Sequence, residues 1–449
     1  MFRGIIPRVM REPMPSRRRF LGAISYPVGA AVAASAWSPS ALARVLPALN
    51  DLARHRASPE DVAADEPFWF EVQQAFTPDR SLINLNNGGV SPSPITVQTA
   101  MKRHLDLSNT APAWVMWQIQ EPQRETVRES LARLFGCDRE EAALVRNASE
   151  GLETCQLGFD LTPGDEVLTT NQDYPRMVTT FRQMERRHGI VLKQISIPVP
   201  AEDPARIVSL YEERITPRTR LLLVCHVINL TGQILPVREI VRLGKKRGIP
   251  VIVDGAHAFA HLVFSRDDLE CDYYATSLHK WLFAPHGTGM LYVRKDRIRS
   301  LWPLMAAPSE MDDDIRKFEE IGTHPAANYL AIGEAVTFHE GIGPRRKEAR
   351  LRYLRDTWAK RLLALDRVRL HTSLKPEFSC GIATVQVEGV DTAALNQHLW
   401  TKHRIFTTAI VHEEFSGLRI SPSVYTTLED LDRFCDAMES VVQNGLPKT

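Results

Sequence analysis

The sequence has 449 residues, 44% of them hydrophobic and 24% charged, with a formal net charge of +1. A chain of this length buries a large core and divides into more than one domain. Its near-neutral charge argues against nucleic acid or an acidic membrane surface as partner. Six cysteines without a close pair exclude a zinc ribbon or a redox CxxC, and they read as small core residues.

The N-terminal stretch "SRRRFLGAISYPVGAAVAASAWSPSALA" joins an arginine cluster to a mildly apolar run and ends in Ala41-Leu42-Ala43. The run is too short and too polar to span a bilayer, but it suits a cleavable export signal. Ser16 to Leu21 resembles the twin-arginine motif, whose route carries folded proteins. Residues 1–43 are therefore expected to be a signal that delivers a periplasmic protein, with Met1 or Met14 as the start and a disordered basic tail as the other reading.

Beyond it, "DVAADEPFWFEVQQAF" (61–76) has helical spacing, and "LINLNNGGVSPSP" (82–94) is a short strand entering a loop. "ITVQTAMKRHLDLSN" and "EPQRETVRESLARLFG" read as amphipathic helices, the second ending at Gly136. Apolar runs and helical segments then alternate: "EAALVRN", "DEVLTTN", "IVLKQISI", "TRLLLVCHV", "IPVIVDGAHA", "CDYYATS" and "GMLYV" are the strand candidates. Continuous Val/Ile/Leu strands between helices predict an α/β fold whose mainly parallel sheet is covered on both faces. Residues 44–344 read as an N-terminal segment and large domain, and 345–449 as a smaller α+β domain.

In such sheets ligands bind at the carboxyl ends of strands. Asn147 to Ser149, Asp173-Tyr174, His226 to Asn229, Asp254 to His257 and Ser277 to Lys280 all fall there. No GxGxxG opens a helix after a strand and no Walker lysine motif occurs, which argues against nicotinamide or ATP chemistry. His257 and His261 stand i, i+4 in "HAFAH", but the glutamate base of a metalloprotease helix is missing, so no metal is expected. A pyridoxal phosphate site needs a lysine for the aldehyde and a carboxylate to keep the ring nitrogen protonated. It also needs donors for the phosphate. Lys280, Asp254 and Ser149, at the start of "EGLETCQLG", supply one candidate for each role.

"VIVDGAHA … CDYYATSLHKWLFAPHGTGMLYV" resembles the class V aminotransferases, a branch of fold-type I pyridoxal phosphate enzymes, with motifs in order from about residue 82 to 435. "LNNGGVSPSP" and "PAWVMWQIQEPQ" look most like the isopenicillin N epimerase-like subgroup. The resemblance implies Lys280 as the lysine bonded to the cofactor, Asp254 at its ring nitrogen, and His257 and Asn229 near its phenolic oxygen. It implies Ala148, Ser149, Ser277 and His279 at the phosphate and Tyr174 stacked on the ring. Arg419, helped by Asn229, would hold the substrate carboxylate. Thr323 of "EIGTHP" would reach the phosphate of a neighbouring subunit, which implies a homodimer.

The family's desulfurases carry a cysteine in the loop before that arginine. "RIFTTAIVHEEFSGLR" has none, which argues against persulfide chemistry. Trp114 and Trp117 could line the substrate pocket or pack as helix-face core. The expected activity is at the α-carbon of an amino acid or an amino-acid-containing secondary metabolite, of aminotransferase or epimerase type, with siderophore maturation as one setting. A C–S lyase acting on cysteine conjugates and a non-catalytic exported binding protein are the alternatives.

Overall fold

The computed structural model describes residues 57–447; the expected export signal at 1–43 lies outside the described residues. The chain enters through the helices Pro59–Ala63 and Glu66–Gln73 and a two-residue strand, β1 (Ile83–Asn84). Ser58 and Asp65 cap these helices through their side chains, and each helix has Pro in its first turn, where a missing N–H costs nothing. The helix Glu121–Phe135 ends at Gly136, whose φ of +80° suits a residue without Cβ. Before it, residues Val115–Gln120 form a π-helical turn that periodicity did not suggest. Trp114 and Trp117 flank and occupy that turn and are both exposed, so neither is core.

Seven strands build the central sheet: β2 (Ala142–Val145), β3 (Glu166–Thr170), β4 (Val191–Ile195), β5 (Thr219–Cys225), β6 (Val251–Asp254), β7 (Tyr273–Ser277) and β8 (Gly289–Val293). Their order is β2-β8-β7-β6-β5-β3-β4. Only β8 runs against its neighbours; the other pairings are parallel. The strands alternate residues between two cores. Leu144, Leu168, Leu222, Val224, Val253 and Tyr274 enter one; Val145, Val167, Leu223, Ile252, Ala275 and Leu291 enter the other. That period of two explains the unbroken apolar runs: helices cover both faces, so inward and outward positions are equally dry.

The C-terminal region adds β9 (Val368–Leu370), β10 (Ala383–Val387), β11 (Ile405–Phe406), β12 (Thr408–Val411) and β13 (Ser416–Ile420). Four of these form an antiparallel sheet, β12-β13-β10-β9, while β11 pairs in parallel with β1. A third core lies under this sheet. It collects Leu354, Trp358 and Leu362 from the long helix Pro344–Leu363, Phe434 and Met438 from the last helix, and also Ile83 and Leu85. The N-terminal segment thus pairs with β11 in a separate two-stranded sheet and shares the third core with the C-terminal region.

Between β6 and the site, Gly255 donates its N–H to Ala275 O at 2.8 Å. A Cβ there would fall 1.9 Å from Tyr274 Cζ. Gly255→Ala must therefore displace a buried tyrosine ring. It is expected to destabilise the protein by about 1–3 kcal/mol, read as a lower urea midpoint with a native-like far-ultraviolet spectrum; an unchanged midpoint would contradict this packing.

Candidate functional site

Parallel β3, β5, β6 and β7 end at one edge of the sheet. Strand β2, separated from β7 by antiparallel β8, ends there too. The five polar clusters expected from the sequence are therefore brought to one crevice, with Arg419 arriving from β13. On that strand Leu418 and Ile420 enter the third core, so alternation turns Arg419 the other way.

Lys280 follows β7, and its Nζ lies 3.0 Å from His257 Nε2. Burial lowers its pKa to about 8, with the Asp254 charge acting upward and Arg419 downward. Asp254 ends β6, buried; one oxygen accepts the Ala256 N–H at 2.9 Å and the other faces Cys225 Sγ at 3.9 Å. Burial raises its pKa to about 6, against the Ala256 bond and the Lys280 charge, with Asp173 adding to the rise. No hydrogen bond or ion pair joins Lys280 to Asp254, yet each senses the other. His257 is pushed well below the ordinary histidine value by burial and by the Lys280 and Arg419 cations, so it is neutral. With Nε2 facing the amine, its buried Nδ1 has no partner.

Arg419 is also buried. It donates to Asn229 O at 3.0 Å and to Asn86 Oδ1 at 2.7 Å, and its Nε has no partner. Burial lowers its pKa to about 10, with Tyr174 as the counteracting group. A buried guanidinium whose partners are neutral acceptors suits an anionic ligand. Asn229 leaves its own Oδ1 buried and unpartnered.

The other end of the crevice is the start of the helix Ala148–Gly158. Asn147 caps it by accepting the Glu150 N–H at 2.9 Å. The Ala148 N–H donates to Ser277 Oγ at 2.9 Å, so Ala148 is occupied by the very serine expected to share its role. That leaves the Ser149 N–H and the Ser149 and Ser277 hydroxyls for a phosphate. His279 Nδ1 faces Thr288 O at 3.2 Å, and burial lowers its pKa to about 4. Its free nitrogen can donate to a phosphate only once protonated, which the anion itself would favour. Gly289 lets β8 run against this loop, since a Cβ there would lie 2.7 Å from Asn147 Cα. Tyr174, half-buried, precedes the helix Pro175–His188 on the loop after β3. Thr323 is exposed on the loop after Ile315–Glu319 and is not brought to the Lys280 group within this chain.

Two groups escaped the sequence reading, and the sequence places a third, Asp173, at the crevice without the role it takes. Asn86, in the loop after β1, fills the end of Arg419; its position beside "NGG" marked a turn but not a target 333 residues away. Gly88 approaches His257, with 3.6 Å from a built Cβ to Cε1. Asp173 accepts the Thr170 N–H at 2.7 Å and the Cys225 N–H at 3.1 Å, tying the ends of β3 and β5 beside Asp254.

The residues fit pyridoxal phosphate. An amine of lowered pKa, a buried acid without a cation in contact, a free helix N-terminus and a carboxylate-seeking arginine match its aldehyde, ring nitrogen, phosphate and amino-acid partner.

Comparison with known proteins agrees. The family described as aminotransferase class-V matches residues 83–434. Isopenicillin N epimerase of Streptomyces clavuligerus is 34% identical over 403 residues, covering 83% of this chain and 98% of its own. Hercynylcysteine sulfoxide lyase of Schizosaccharomyces pombe is 24% identical over 389 residues, covering 83% of this chain and 96% of its own. Among solved structures, a C-DES mutant with glycine covalently linked to its PLP cofactor superposes with a TM-score of 0.71 at 22% identity, over 80% of this chain and 98% of that one. That likeness shows the fold, the α/β architecture of fold-type I pyridoxal phosphate enzymes. From the strand ends to the matched span, the chain belongs to the aminotransferase class-V family.

Proposed function

We propose that the chain is a pyridoxal phosphate enzyme acting at the α-carbon of an amino acid or an amino-acid-containing metabolite, of epimerase or aminotransferase type. One observation carries this reading: a buried arginine without an acidic partner shares a crevice with an amine whose pKa is lowered to about 8. A carboxylate held by the first presents its α-carbon chemistry to the second.

When bound, pyridoxal phosphate supplies an aldehyde for amines and an electron-withdrawing ring. Ser149, Ser277 and His279 would hold its phosphate, Asp254 would give a negative charge to its ring nitrogen, and Tyr174 a flat face. Arg419 then orients the substrate carboxylate, with Asn229 beside it. Lys280, deprotonated at a cost far below that of an exposed lysine, takes the Cα proton on Nζ. Neutral His257, 3.0 Å away, accepts a hydrogen bond from that amine and steadies it. Delivery of a proton to the opposite face of Cα inverts that centre and gives epimerisation, return to the same face restores it, and delivery to another atom leads to transamination.

Relatives named cysteine desulfurase also match this chain, but its own thiols argue against cysteine-based sulfur transfer. No cysteine lies in residues 404–419, and burial pushes the thiols of Cys137 and Cys380 up to about 12. The C–S lyase alternative needs no such thiol and draws support from the fungal lyase relative.

Incubation of the holoenzyme with candidate amino acids in deuterated water is expected to exchange the Cα hydrogen, and Lys280→Ala to lower that rate by at least about a hundredfold. Release of pyruvate and a thiol would instead select the lyase, and a protein that takes up no cofactor would select the binding-protein reading. A second test reads the amine directly. Bonding of added cofactor to the apo chain needs unprotonated Lys280, so its rate should climb with pH, reach half its maximum near 8 and level off above that. A climb continuing towards the ordinary lysine value would show the amine to be solvated. Export and assembly are proposed from sequence resemblance: the Arg17-Arg18-Arg19 leader for a periplasmic, twin-arginine-exported protein, and Thr323 for a homodimer. Protein recovered from the periplasm should begin after Ala43 and sediment as a dimer; retention in the cytoplasm rules out the first, and a single-chain mass the second.

A further inference from the structure

Next to the Lys280 turn is a second lysine that this chemistry does not use. Lys347, in the first turn of the helix Pro344–Leu363, is fully buried. Its Nζ donates to the carbonyl of Trp281, the residue after Lys280. It also lies 3.2 Å from His339 Nδ1 and 4.2 Å from the centre of the Phe283 ring. None of these partners is an acid. Burying an amine without a counter-charge is costly, and burial pushes its pKa well below the ordinary lysine value.

The turn it touches is strained. Phe283 has φ +63°, a left-handed conformation that side chains with a Cβ resist. The preceding Trp281 ring stacks on His261, with centres 3.8 Å apart and planes within 10°. His261 is fixed in turn. Its Nε2 accepts the Gly381 N–H at 2.8 Å, and its Nδ1 faces His257 O at 2.7 Å. Residues 281–283 are thus held through a carbonyl and a ring by Lys347 and through an indole by His261. His261 is bonded to the very residue whose imidazole meets Lys280.

We propose that Lys347 is a positioning residue: by anchoring the Trp281 carbonyl and the Phe283 ring it holds the left-handed turn that directs Lys280 to His257. The inference rests on Lys280 as the amine that bonds pyridoxal phosphate. A strained turn stays in place only where its surroundings over-determine it, and a lost ångström in a reacting group can cost as much as a hundredfold in rate.

Lys347→Met keeps the length and removes the donor. Replacing a buried amine that has no acidic partner relieves desolvation but takes the donor from the Trp281 carbonyl, so the two effects offset and a folded variant should melt within a few degrees of the wild type. Its Lys280 should nevertheless bond added pyridoxal phosphate between about ten- and a hundredfold more slowly, with a pH midpoint above the wild-type value. Hydrogen exchange in the apo chain should quicken in the peptide spanning Leu278 to Ala284 and stay unchanged in the central strands. Lys347→Gln, which keeps a donor, should recover part of the rate, and Lys347→Leu carries the comparison if the methionine variant does not fold. Wild-type rate, midpoint and exchange in a folded variant without the donor, methionine or leucine, would overturn the proposal. A wild-type chain that bonds no cofactor would overturn the reading of Lys280, and the inference with it.

Discussion

The site depends on opposite charges buried near one another and kept from closing. Lys280 and Asp254 each shift the other's proton affinity, yet no bond joins them. In a low-dielectric crevice such a pair would ordinarily collapse into contact, because the attraction is barely screened. The backbone prevents it. Asp254 is committed to the Ala256 N–H, and Lys280 leaves a turn whose next three residues are gripped by Lys347 and His261. Burial, only partly offset by the other charge, puts the carboxylate at about 6 and the amine at about 8, and such a pair suits a flat heterocycle that brings its own positive nitrogen and its own aldehyde.

The sheet explains why so many roles meet there. Parallel strands deliver every carboxyl end to the same edge, and antiparallel β8 lies between β2 and β7 without changing the direction of either. Side-chain alternation fills both faces mainly with apolar residues, and the polar groups of the crevice gather where the strands stop. Gly255 and Gly289 sit at these stops because neighbouring atoms, Tyr274 in one case and the Asn147 backbone in the other, occupy the space of a side chain.

This is also why part of the site could be read in the sequence. Lys280, Asp254, Ser149 and Ser277 each lie at the end of an apolar run or the start of a helix, positions that local pattern marks. The strands of the central sheet were legible for the same reason. Asn86, His261 and Lys347 were not, because their significance lies in contacts 333, 120 and 66 residues away along the chain. In sequence Lys347 belongs to a run of basic residues, "GPRRKEARLRYLR", that reads as a solvated helix face. Burial of Lys347, Arg350 and Arg355 on one side of that helix is a tertiary fact, invisible to charge counting. The joining of β1 to β11 is likewise beyond local reading: a two-residue strand has too little pattern to declare its partner.

These two kinds of residue divide the labour. Asp254 stands on a strand end of the central sheet and Lys280 just beyond another, where the fold sets their spacing. The surroundings of Arg419 are assembled from three distant segments: Asn86 after β1, Asn229 after β5 and Arg419 itself on β13. Their geometry exists only when the N-terminal segment has joined the third core, since Ile83 and Leu85 lead into Asn86. Loop contacts between segments can change without moving a strand, whereas Asp254 at the end of β6 cannot move without repacking the cores on either face, and Lys280 moves only if the turn beyond β7 yields. The architecture therefore leaves the contacts around Arg419 freer to vary than the pair that the sheet and this turn hold apart.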